Sequence, residues 1–136
     1  EVVVNGGEAT RLWTTSNLGF PRLSAEAILM SLSERGIAAS AGAACASGSL
    51  EPSPILLAMG VPEAVAHGSV RFSFSRETTD DEISSGVAAI TEVIRRLARD
   101  LPASRPGGSE FPPAATGQYR PRSSRYFRIS EFVDES

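Results

Sequence analysis

From Thr79 to about Leu101 the apolar residues Ile83, Val87, Ile90, Val93, Ile94 and Leu97 recur on one face of a helix. A helix that is apolar along one stripe has to be laid against a second layer. Its start is marked by Thr79 and Glu82, three apart in the pattern of a capping box. Just upstream, "SVRFSF" (69–74) alternates strictly, with Val70, Phe72 and Phe74 on one side and Ser69, Arg71 and Ser73 on the other. A period of two predicts a half-buried strand, and it sends Arg71 away from the core. Strand and helix together demand a sheet with at least one helix packed on it.

The remaining pattern fits that demand. "LWTTSNLGF" (12–20) is rich in β-branched and aromatic residues and runs into Pro21, which predicts a strand leading into a turn. Ser24 then caps a helix in which Ala25, Ile28, Leu29 and Leu32 share a face, Arg35 suits the negative end of the dipole, and Gly36 supplies a left-handed stop. Ile37 to Ser40 is a short strand candidate, and Ala41 to Pro52 has neither period nor bulk, so it reads as loop. Ser53 and Pro54 are an N-cap and first-turn proline for a short helix carrying Ile55, Leu56, Ala58 and Met59 and ended by Gly60; a second short helix starts at Pro62. The order strand, helix, strand, loop, helix, strand, helix defines an α/β (or α+β) layer, a small sheet covered by helices.

At 136 residues and 41% hydrophobic content the chain closes one core. The composition divides it into a domain over 1–101 and a Pro/Gly/Ser/Arg-rich tail over 102–136, whose "RYFRISEF" is apolar enough to dock as a short strand. A net charge of −3 with scattered basic residues gives no case for nucleic acid or anionic membrane. No apolar run approaches the ~20 residues of a membrane span, and the first residues lack a signal-peptide pattern, so a cytoplasmic protein is expected. All thirteen basic residues are arginine, which excludes a Schiff-base or phosphate-binding lysine within this chain. No metal ligand set is assigned.

The chain has one cysteine, Cys45, inside "SAGAACASGSLEPS" (40–53). A lone thiol is a buried inert group, an intermolecular bridge or a reactive nucleophile. Its small, glycine-flanked neighbours leave little to anchor it, which favours an exposed nucleophile on a loop able to swing. No basic residue lies between Arg35 and His67, so a lowered thiol pKa requires a group brought near by folding or by substrate.

"SAGAACASGSLEPSPILLAMG" followed by "AHGSVRFSFSRETTDDE" resembles the C-terminal small domain of the cysteine desulfurases, in the branch with a long cysteine loop. These are class V aminotransferase-like, fold type I pyridoxal-phosphate enzymes, and the likeness runs from about Val2 to Leu101. It implies an enzyme that takes sulfur from L-cysteine, leaves L-alanine and holds the sulfur as a persulfide on Cys45, for transfer to an acceptor or scaffold protein in iron–sulfur cluster or thio-cofactor synthesis. By the same match Arg71 clamps the substrate carboxylate, for which a guanidinium fork is suited. His67, the single histidine, is assigned a structural role; Arg76 is expected to pair with Glu77 or Asp80. Asn17 falls where similar proteins also carry asparagine, with no role assigned. Ser75 departs from the glycine usual before Arg76, a change expected to be tolerated.

The family's cofactor lysine, ring-stacking histidine and ring-nitrogen aspartate belong to a large domain, usually the dimerising one, of which this sequence shows no trace. Pyridoxal phosphate is therefore expected on that domain, either upstream in a longer protein or in a separate chain, and this chain alone is expected to be inert. The competing readings are a selenocysteine lyase and a non-catalytic sulfur-relay or binding module.

Overall fold

The computed structural model describes residues 1–7, 9–41, 51–101 and, for backbone alone, 125–127. Four strands form one antiparallel sheet: β1 (Val2–Val4), β2 (Thr15–Gly19), β3 (Ser69–Ser73) and β4 (Arg125–Phe127), in the spatial order β3-β2-β1-β4. Four helices accompany it: α1 (Ala25–Ser33), α2 (Pro54–Ala58), α3 (Glu63–Ala66) and α4 (Asp80–Arg99). The architecture is the mixed α/β layer that the pattern predicts.

Alternation along the strands divides the sheet into two unlike faces. Val2 on β1 and Val70 and Phe72 on β3 turn toward α1 and α4, where with Phe20, Leu23, Ile28, Leu32, Val93 and Ile94 they form the main core. The opposite face carries a smaller cluster of Val3, Leu56, Val61, Val65 and Ala66, which seats α2 and α3 against one end of the sheet. Gly19 lies at that contact: a Cβ there would come within 2.5 Å of Val65 Cγ1, so the strand carries no side chain where α3 presses on it. The rest of this second face is polar.

Several local expectations shift. β2 begins at Thr15 rather than Leu12; Leu12 and Trp13 are exposed before it. β1 lies outside the predicted element order, because three residues are too few to display a period. Ile37 to Ser40 is not a strand; Ser40 alone forms a bridge, to Arg71. Ser24 and Ser53 occupy N-cap positions, but neither hydroxyl makes a capping bond. At α1 one of the free first-turn donors is met by a tertiary partner, since the Ala25 N–H donates to the His67 carbonyl at 2.9 Å. Arg35 reaches across to α4, making a bidentate pair with Glu92 at 2.8 Å per bond, which holds the Glu92 carboxyl below its ordinary range. Gly36 has φ of 74°, the left-handed stop expected of it, and Gly60, expected to end its helix, does so in the same conformation with φ of 77°.

The apolar stripe of α4 is covered along only part of its length. Ile90, Val93, Ile94 and Leu97 join the core, whereas Ile83 and Val87 are exposed. A helix of 20 residues is about 30 Å long, and the nine-residue α1 beside it covers less than half of that.

The capping box at the head of α4 is complete. Glu82 N–H donates to Thr79 Oγ1 at 3.2 Å, and the Glu82 carboxylate accepts from the Thr79 N–H at 2.8 Å. These bonds hold the Glu82 carboxyl below its ordinary range, the Thr79 backbone donor contributing most. Thr79→Ala is expected to lower stability by about 1 kcal/mol at neutral pH, read from thermal or urea unfolding. The folded state favours the Glu82 anion, so its contribution is present above the ordinary glutamate pKa and is lost as pH falls through the lowered value. Thr79→Ala keeps the backbone donor but removes the hydroxyl's own bond to the carboxylate, which Thr79 Oγ1 donates at 3.0 Å, so the gap between wild type and variant should narrow slightly in acid.

Candidate functional site

The polar end of the second face is built around β3. Because Val70 and Phe72 are held in the core, Arg71 between them must emerge on the opposite side, where it is exposed. Among the described residues its guanidinium makes no hydrogen bond or ion pair, which leaves the whole donor fork open. In the register, Arg71 is flanked by Asn17 of β2 on one side and Ser40 on the other. Antiparallel partners share a face, so the three form one row across the sheet.

The Ser40 bridge ties this row to the cysteine segment. Ser40 N–H donates to the Arg71 carbonyl at 3.1 Å, and Arg71 N–H donates to the Ser40 carbonyl at 2.6 Å. Cys45 itself lies outside the described residues. The two anchors of its segment do not: Ser40 stands next to Arg71, and at the other end Ser53 is buried at the head of α2, on the same face of the sheet. Five residues of chain reach at most about 18 Å, which bounds the span between Ser40 and Cys45.

Behind the row a buried polar cluster continues toward α3. Asn5, with 5% of its surface exposed, donates from Nδ2 to Asn17 Oδ1 at 2.7 Å and to Ser69 Oγ at 3.0 Å. Ser69 in turn donates to the Val65 carbonyl at 2.9 Å. Alternation puts Ser69 on Arg71's side, yet it is buried, because α3 covers that end of the strand. Asn5 is the participant that sequence reading missed; its pairing with Ser69 spans 64 positions, and no local pattern carries such a signal.

The other residues singled out in the sequence lie apart from this row. His67 ends α3 and is exposed, its Nε2 3.5 Å from Glu63 Oε1 one helical turn back. Arg76 makes no ion pair with Glu77 or Asp80. The turn there is held instead by Ser75, whose N–H donates to Thr78 Oγ1 at 3.0 Å and whose Oγ accepts from the Glu77 N–H at 3.1 Å. A separate cavity of about 270 Å³, lined by Phe20, Arg22, Leu23, Ile94, Arg95 and Ala98 among others, opens on the α4 side of the sheet and includes no member of the Arg71 row. Among the described residues no group of His, Cys, Asp and Glu side chains could hold a metal, and no helix is long and apolar enough to cross a membrane.

This geometry defines a class: a small α/β unit whose sheet is covered by helices on one face and, on the other, offers an arginine that is unpaired among the described residues, beside Ser40. The comparisons with known proteins make the assignment. The aminotransferase class-V family model matches residues 1–85, more than half of the sequence, and the chain belongs to that family. It is 50% identical over 94 residues to a cysteine desulfurase of Trichormus azollae, covering 69% of this chain and 24% of that protein. It is 48% identical over 109 residues to a cysteine desulfurase of Azospirillum brasilense, covering 80% and 25%. Among solved structures, a NifS-like protein from Rickettsia africae superimposes with a TM-score of 0.58 at 26% identity, covering 69% of this chain and 23% of the other. The chain thus spans about a quarter of the length of the relatives it matches.

Proposed function

We propose that this chain is the sulfur-accepting part of a cysteine desulfurase, with Cys45 as acceptor and Arg71 as the clamp for the substrate carboxylate. The net change is that the Cys45 thiol and L-cysteine become a Cys45 persulfide and L-alanine. The sulfur–sulfur bond forms as the carbon–sulfur bond of the substrate breaks, and the carbon takes up a proton to become the methyl group of alanine. The observation that carries the reading is the Ser40–Arg71 bridge, which roots the Cys45 segment beside the open guanidinium. The names of the relatives at about half identity support the same activity.

The family generally uses pyridoxal phosphate, and this chain's residues do not fit that group. It has no lysine, and His67, its single histidine, faces Glu63. The cofactor, which when bound supplies the electron sink for breaking the substrate's carbon–sulfur bond, belongs to a part outside this sequence. What these residues supply is a bidentate grip on a carboxylate and a thiol able to carry sulfur onward to an acceptor protein, with dimerisation assigned to the cofactor-bearing part.

The test is to feed L-cysteine to the assembled, cofactor-loaded enzyme without acceptor, digest it under non-reducing conditions and weigh the peptide that contains Cys45. The expected result is the added mass of one sulfur atom, removed by a reductant. An unmodified peptide from an enzyme that releases alanine would overturn the assignment of Cys45.

A further inference from the structure

Asn17 has no part in the reading so far, yet it stands directly across from Arg71 on the same face. Its amide orientation follows from the buried cluster behind it. The Val65 carbonyl can only accept, so the Ser69 hydroxyl spends its proton there and offers Oγ as an acceptor. Asn5 must therefore present Nδ2 to Ser69. Turning Asn5 over would set its oxygen against an oxygen whose single proton is already used. The second Nδ2 proton goes to Asn17 Oδ1, which uses the amide oxygen of Asn17 and leaves its two N–H donors for the open side. Among the described residues the buried Asn5 Oδ1 has no partner, a cost proteins normally avoid, accepted here with both Nδ2 donors engaged.

We infer that Asn17 is a substrate-binding residue that donates its amide N–H groups to the substrate carboxylate beside Arg71, and that Asn5 and Ser69 are positioning residues that fix this orientation. Arg71 and Asn17 then offer an all-donor pair to an anion, one member charged and exposed, the other neutral, half-buried and held from behind. Such a pair favours a carboxylate over a neutral group, because the guanidinium's bonds to an anion are charge-assisted and the Asn17 amide adds donors and no competing acceptor. The inference rests on the desulfurase reading and adds a residue to it.

The test uses the assembled, cofactor-loaded enzyme with Asn17→Asp, Asn17→Ala and Asn5→Ala. Asn17→Asp keeps an oxygen for Asn5 to donate to, so the fold is preserved, while it sets a carboxylate where the substrate's must lie. Asn17→Ala removes the donors without adding charge. The KM for L-cysteine is expected to rise at least about tenfold in both, with kcat changed far less, and the Kd for L-alanine by calorimetry is expected to rise in parallel. The thermal midpoint of Asn17→Asp should stay within about 2 °C of the parent. Asn5→Ala should raise KM less than Asn17→Ala does, because the amide stays but loses its orientation. An unchanged KM and Kd in Asn17→Asp at an unchanged midpoint would overturn the inference and leave the desulfurase reading standing. A parent enzyme that forms no alanine from L-cysteine would overturn the desulfurase reading itself.

Discussion

Cys45→Ser is expected to lower turnover of L-cysteine to L-alanine in the cofactor-loaded enzyme by on the order of a thousandfold or more, with KM almost unchanged. The substitution is nearly isosteric, and the sequence already carries hydroxyls close by at Ser47 and Ser49. What changes is chemistry. A serine hydroxyl is far less acidic than a thiol, and its oxygen is a poor acceptor for a sulfur atom. Loss of turnover without loss of binding is the signature of an interaction made only during reaction. The measurement is steady-state alanine release with parallel sulfide detection. Equal rates for the two forms would show that sulfur leaves without visiting Cys45.

Arg71→Ala has the next largest expected effect, a rise in KM for L-cysteine of about 30- to 150-fold with a smaller change in kcat. A charge-assisted hydrogen-bonded contact is worth about 2–3 kcal/mol when both partners are engaged. Arg71→Lys should recover part of the loss, because an ammonium keeps the charge but not the planar fork. Both variants should unfold within about 2 °C of the parent, since the Arg71 side chain is exposed and without partners among the described residues. A KM that does not move would remove Arg71 from the substrate site, and a large fall in midpoint would show that it holds the fold instead.

The two predictions draw on different kinds of information. Cys45 was legible in the sequence as a lone thiol among small residues, a chemical fact that needs no coordinates. Arg71 was half legible: alternation in "SVRFSF" sent it off the core face, but that argument applies equally to Ser73, two positions on. What separates them is the partner in the next row, because the Ser40 bridge falls on Arg71 and brings the cysteine segment to it. That pairing joins residues 31 positions apart through a single bridge, too short to leave a strand pattern in Ile37 to Ser40.

What local pattern leaves undecided elsewhere has the same origin. The apolar stripe of α4 is plain in the sequence, but its periodicity cannot say how long the covering layer is, and Ile83 and Val87 are exposed beyond α1. Ser24 holds the cap position its place before a helix predicts, but its hydroxyl makes no capping bond, and the first helical donor, Ala25 N–H, is met by the His67 carbonyl from a distant segment. The "RYFRISEF" segment docks as the short strand its apolar residues predict, since β4 lies within it; its partner β1 is too short for any pattern to show.

By itself the sequence determined what depends on neighbours along the chain: the periods of β3, α1 and α4, the capping box of Thr79 and Glu82, the left-handed stops, the isolated thiol and the absence of lysine. Tertiary structure decided everything that depends on which strand lies beside which. It set Asn17 and Ser40 on either side of Arg71, buried Asn5 behind them, and, among the described residues, left one end of a sheet face polar and uncovered. The physical reason is that hydrogen bonds between strands are made by backbone groups common to every residue, so partners are chosen by the packing of the two sheet faces and not by any local signal.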